Sequence, residues 1–148
     1  MAASLQDTLL APDTRPKVVA DAQTLVDQEV ADKSGISGTA IKLAYKTVTA
    51  FASGIIHDAV DTLLPDMLAK LEPYWEQFTA DGASDFGDFL SKRGAEVSEA
   101  LLSVTDERAR NSTRAPIRKA YNTIRPSGVK NVEGALPRLG ALVQKYMA

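Results

Sequence analysis

Apolar residues recur at helical spacing along almost the whole chain. Ser4 stands before Leu5, Leu9 and Leu10, with Asp7 three positions on. That is the arrangement of a short capped helix, which Pro12 ends. Pro16 suits a first helical turn, and Val18, Val19, Ala22, Leu25, Val26 and Val30 follow it until Gly35 stops the run. With Ser37 as N-cap, the period is clearest from Ile41 to Leu63, through Ala44, Tyr45, Val48, Phe51, Ile55, Ile56 and Ala59. It predicts one amphipathic helix of about six turns, bent at Ser53-Gly54. Pro65 is expected to begin a new segment, and Pro73 to kink or restart it.

Asp81-Gly82 reads as a turn. Ser84 or Asp85 then opens one further helix with Phe86, Phe89, Leu90, Val97, Leu101 and Val104 inward. Its interior Gly87 and Gly94 cost helix stability, so they predict close backbone packing. A polar stretch precedes a short helix around Ile117–Ile124, Pro126-Ser127-Gly128 breaks the chain again, and a last helix runs from Val129 to Tyr146. No stretch alternates strictly between apolar and polar. The fold class expected is all-α: a single bundle of five to seven helices, with residues 1–148 as one domain.

Two parts of the chain resemble each other. IKLAYKTV (41–48) aligns with IRKAYNTI (117–124), Ser53-Gly54 with Ser127-Gly128, Leu64-Pro65 with Leu136-Pro137, and Tyr74 with Tyr146. The pattern predicts a helical unit used twice, over 14–80 and 84–147, packed as a pseudo-two-fold bundle.

The stretches SLQDTLLAPDTRPKVVADAQTLVDQEVADKSGISGTAIKLAY and IRKAYNTIRPSGVKNVEGALPRLGAL carry a wider resemblance. Over most of its length the chain is similar to an uncharacterised family of small actinobacterial proteins. The resemblance implies a bacterial, cytoplasmic, helical protein and brings no activity, cofactor or site residues with it.

Composition narrows the chemistry. The 148 residues include no cysteine and one histidine, His57. Thiol nucleophiles, disulfides, zinc–thiolate sites and two-histidine metal motifs are therefore excluded. No phosphate-loop or EF-hand pattern occurs, and no cofactor or metal is expected. The amino-terminal residues lack the basic and apolar regions of a secretory signal, and no run is apolar enough for a membrane span, so a cytoplasmic location is expected. His57 stands four residues after Ser53 and four before Asp61. That row has the residue types of a hydrolytic triad, but triads converge from separate elements, and a surface histidine is the simpler expectation. Catalysis is not expected.

Charge is more informative. The formal charge of −2 is the sum of −5 over residues 1–76 and +3 over residues 77–148. No acid lies between Glu107 and Glu133, a stretch holding Arg110, Arg114, Arg118, Lys119, Arg125 and Lys130. With Ile117, Ala120, Tyr121 and Ile124 inward, Arg118, Asn122 and Arg125 are expected to share an outer surface. Such a surface suits a role in binding or assembly, first with an anionic protein or a second copy of the chain, and as a further option with anionic lipid. Nucleic acid is the weaker option, since no helix-turn-helix signature is present and the isoelectric point is about 5.4. The competing expectation is that the acidic half neutralises the basic one. A second candidate is an apolar face formed by Tyr45, Val48, Phe51, Ile55, Tyr121 and Ile124. Between the two halves it could hold an apolar or lipid-like ligand, in which case the protein is a carrier.

Overall fold

Helix boundaries follow the local chemistry of the chain, with a few instructive departures. In chain order the helices are α1 (Leu5–Leu9), α2 (Arg15–Asp32), α3 (Gly35–Phe51), α4 (Ile55–Asp81), α5 (Phe86–Ser91), α6 (Gly94–Arg110), α7 (Ala115–Ile124) and α8 (Gly128–Met147), with a 3-10 turn, Arg125–Ser127, joining the last two. The computed structural model describes residues 4–32, 35–51 and 54–147; the side chains of Ile36, Ser37, Val48 and Phe51 lie outside that description. Among the described residues there is no strand, and six of the helices have ten residues or more. The protein is all-α. No helix among the described residues is long and apolar enough to cross a membrane.

The apolar period from Ile41 to Leu63 is divided between α3 and α4. Gly54 stands before α4 with φ +75°, a left-handed conformation that glycine adopts without steric cost. The expected bend is therefore a complete break. Pro65 and Pro73, expected to start or restart helices, instead lie inside α4. Leu64, Leu68, Leu71, Trp75 and Phe78 explain why: all five are buried along that helix. At roughly 1.5–3 kcal/mol each, they outweigh a cost of about 3 kcal/mol per interior proline. The helix expected to open at Ser84 or Asp85 is also two. Asp85 caps α5 by accepting from the Asp88 amide at 3.0 Å, and the turn at Lys92-Arg93 separates it from α6.

The core gathers Leu5 and Leu9 of α1, Val18 and Val19 of α2, the five α4 residues, Phe86, Phe89 and Leu90 of α5, Val97 and Leu101 of α6, and Leu136 and Val143 of α8. Trp75 meets Phe86 edge-on at 5.0 Å and Phe78 at 5.2 Å, geometries in which aromatic pairs attract beyond their buried area. Gly87 and Gly140 bring α5 and α8 into backbone contact: a Cβ on Gly140 would lie 2.2 Å from the Gly87 nitrogen. Among the described residues, neither α3 nor α7 contributes to this cluster. The two pack mainly on each other, as an outer layer.

Polar ties recur at aligned positions. The Leu5 amide donates to Glu72 Oε2 at 2.8 Å, and the Phe86 amide to Gln144 Oε1 at 2.7 Å. All four tyrosines donate to a carboxylate on another helix: Tyr45 to Asp27, Tyr74 to Glu96, Tyr121 to Asp106 and Tyr146 to Asp21.

Candidate functional site

The outer layer is where the charge of the chain becomes organised. Residues 33–57 and residues 108–132 are each free of Asp and Glu, and together they hold ten of the seventeen lysines and arginines. The rest of the chain carries all nineteen acids against seven bases. The two acid-free stretches contain α3 and α7, so folding sets them side by side. The second stretch was conspicuous in the sequence. The first carries only Lys33, Lys42 and Lys46, and its length becomes visible only when acids are counted along the whole chain. Lys33 lies outside the described residues.

Outside the layer, most basic side chains are already paired. Arg15 reaches Asp61 at 2.9 Å, Lys92 reaches Asp88 at 3.1 Å, and Lys145 reaches Asp21 at 2.8 Å. Arg138 of α8 bonds both Glu29 and Asp32 of α2. Within the two acid-free stretches, Lys42, Lys46, Arg108, Lys119 and Lys130 are exposed and form no ion pair among the described residues. Lys42, Lys46 and Thr47 of α3 and Lys119, Asn122 and Thr123 of α7 stand outward. Among them is Leu43, a large apolar side chain that is 64% exposed.

The expected arginine surface is only partly assembled. Arg125 turns inward, its Nε 2.7 Å from Asp106 Oδ1 and a terminal nitrogen 3.1 Å from Oδ2, with Glu99 at 3.7 Å. Tyr121 donates to the same Asp106 at 2.5 Å and lies 2.7 Å from the Thr105 hydroxyl. The Arg125 guanidinium, then the Tyr121 hydroxyl, hold the Asp106 carboxyl below its ordinary pKa. Burial first, and Asp106 second, push the Tyr121 hydroxyl up to about 12. Arg118 donates to the Ser112 carbonyl at 2.5 Å and so ties down the loop before α7. Arg118 and Arg125 therefore do not share an outer face with Asn122, which does stay exposed. For Arg125 the cause is Asp106, just before the acid-free stretch and presented toward α7 by α6; for Arg118 it is the Ser112 carbonyl. Arg110 and Arg114 are exposed beside the loop.

The expected apolar face is likewise divided. Tyr45 is tied to Asp27 of α2, and burial together with that carboxylate pushes its hydroxyl up to about 12. Val48 and Phe51 have side chains outside the described residues. Ile124 is half-buried. Only Ile55 and Tyr121 meet, in the lining of a cleft of about 630 Å³ between the first turns of α4 and the junction of α6 with α7. Ile56, Ala59, Leu63, Val104 and Ile117 supply the rest of its apolar lining. Arg108, Ser112, Thr113 and Arg114 edge one wall beside Glu107, and Asp58, Thr62 and Asp66 stand on the α4 wall.

The Ser53–His57–Asp61 row is not formed as a unit. His57 is exposed, its Nδ1 is 3.7 Å from Asp58, and Asp61 is held by Arg15. Ser53 lies outside the described residues. No group of three or more metal-ligating side chains is brought together among the described residues.

No curated protein and no solved structure matches this chain. A family model does, over residues 5–147: the chain belongs to DUF6918, a family of unknown function.

Proposed function

We propose that this is a non-enzymatic binding protein that docks through the outward face of α3 and α7 on an anionic lipid surface. The observation that carries this reading is the packing of two acid-free stretches against each other, with Lys42, Lys46 and Lys119 outward and unpaired among the described residues. Each lysine or arginine beside an anionic leaflet contributes about 1 kcal/mol. Three give about 3 kcal/mol, or roughly two decades in affinity. The exposed Leu43 adds an apolar contact of the kind that interfacial helices use. The nineteen acids elsewhere repel the same surface, so they orient the protein rather than weaken this face.

The reading also takes the protein as actinobacterial and cytoplasmic, which the sequence resemblance and the lack of cysteine support. A unit used twice is part of it as well, supported by the matching ties of Tyr45 and Tyr121 and by the aligned Glu72 and Gln144, each of which accepts from the first amide of a helix.

Sedimentation with vesicles tests the docking. Binding is expected to vesicles containing phosphatidylglycerol and not to pure phosphatidylcholine, and it should fall steeply with salt. Lys42→Glu/Lys46→Glu/Lys119→Glu should abolish it. Equal binding to both vesicle types, or no effect of the triple change, overturns the reading. Tight retention on duplex DNA or on an acidic protein, without vesicle binding, points to a different partner and also overturns it.

A further inference from the structure

We infer that the cleft between α4 and the α6–α7 junction is a binding site for a single-chain anionic amphiphile, with its chain on the apolar lining and its head group at Arg108 and Arg114. This goes beyond surface docking: it assigns a ligand to a pocket that the docking face does not use. The volume of about 630 Å³ falls within the range of small-molecule sites, roughly 300–1,000 Å³.

The lining decides the chemistry. Ile56, Ala59 and Leu63 come from α4 at helical spacing and form one apolar stripe, which Val104 and Ile117 face. Tyr121 presents its ring only, because its hydroxyl is taken by Asp106 and Thr105. Nothing along that stripe can satisfy a charged group, so a polar head must sit at the edge. The edge is asymmetric. Asp58 and Asp66 lie on the α4 wall, while on the opposite wall Arg108 and Arg114, with the hydroxyls of Ser112 and Thr113, outnumber the single acid Glu107. An anionic head is repelled from the first wall and bound by the second, so the acids set the direction in which the ligand lies. Arg108 makes no ion pair among the described residues, and its guanidinium suits a carboxylate or a phosphate monoester equally.

Palmitate and 1-palmitoyl-lysophosphatidate distinguish those two head groups, and methyl palmitate serves as the uncharged control. Titration followed by native mass spectrometry and thermal shift should show one equivalent bound for one or both anionic probes. The uncharged control should bind about tenfold more weakly, the weight of one charge-assisted contact. Arg108→Gln should reduce binding of the anionic probes by a similar factor and leave the control unchanged. Ala59→Trp should fill the stripe and abolish binding. Should that variant fold poorly, Thr113→Trp at the exposed edge obstructs the same entry without touching the core. Equal affinity for charged and uncharged probes, or full binding by a folded Ala59→Trp or Thr113→Trp protein, overturns the assignment. Lys42, Lys46 and Lys119 do not line the cleft. Vesicle sedimentation of Ala59→Trp therefore separates failure of this site from failure of the docking face.

Discussion

Replacing Gly140 by alanine tests the crossing on which the second half of the core is built. In an exposed helix interior the change would stabilise by up to about 1 kcal/mol, the difference in helix propensity. Here the added Cβ would sit 2.2 Å from the Gly87 nitrogen and 2.3 Å from its Cα. An ordinary contact begins near 3.4 Å, so α5 must recede from α8 by about 1.2 Å. The atoms in the way are backbone, which cannot rotate aside. Moving α5 strains the 2.7 Å bond from the Phe86 amide to Gln144 and loosens Phe86 and Leu90, both fully buried. Overpacking of this kind typically costs 1–3 kcal/mol and sometimes more. With rigid backbone on one side, a net loss of about 3 kcal/mol is expected, well beyond the propensity gain. At about 2–4 °C per kcal/mol for a chain of this size, the melting temperature should fall by about 6–12 °C. Urea unfolding followed by circular dichroism measures the loss in free energy, and a thermal scan the fall in melting temperature. Gly134→Ala is the control, because Gly134 is exposed in the same helix and the change there should stabilise slightly. If Gly140→Ala proved neutral, or stabilised like the control, the described approach of α5 to α8 would be wrong.

Other outcomes follow from the polar ties. Asp106 and Asp21 are held below their ordinary pKa, by Arg125 and then Tyr121 in one case and by Lys145 and then Tyr146 in the other. Their ionised forms thus stabilise the fold above about pH 4, and that contribution should be lost as pH falls through the lower folded values. Asp106→Asn should cost about 1 kcal/mol at pH 7, a figure discounted for its partial exposure, and should flatten the acid limb of a stability–pH curve. All four tyrosines are raised, Tyr45 and Tyr121 to about 12. Stability from the protonated hydroxyls is present below about pH 10 and lost as pH rises through the folded values. Absorbance at 295 nm should therefore show no tyrosine ionising at its ordinary pKa until the protein unfolds. Ser98 is fully buried with its hydroxyl unbonded, so Ser98→Ala should raise stability by about 1 kcal/mol in a urea titration.

Much of the fold was legible from the period of apolar residues, because amphipathic helices advertise their buried face. The break at Gly54 was not, since the period continues in phase through it and only its left-handed backbone marks the break. Pro65 and Pro73 misled in the opposite direction: local propensity predicts a stop, but burial on both sides of each proline carries α4 through. The split of α5 from α6 depends on Lys92-Arg93, which have no breaker chemistry of their own.

For the candidate site, the acid-free stretch of residues 108–132 was readable as it stood. The fate of its arginines was not. Asp106 lies two residues outside the conspicuous window, and only the α6–α7 turn aims it at Tyr121 and Arg125. The tyrosine ties were invisible too, because each depends on how two helices pack, whether consecutive as for Tyr45 and Tyr121 or far apart along the chain as for Tyr146 and Asp21. Among the described residues of the expected apolar face, only Ile55 and Tyr121 reach the cleft, because the break before α4 puts Ile55 on a different helix from Tyr45.

On the proposed function, α3 and α7 together make one basic face for an anionic lipid surface. The most direct measurement is vesicle sedimentation of the unmodified protein beside Lys42→Glu/Lys46→Glu/Lys119→Glu, at low and at physiological salt. The account predicts binding that requires anionic lipid, weakens by about two decades or more with the triple change, and declines with salt. Binding that ignores lipid charge, or that survives the triple change, would contradict it.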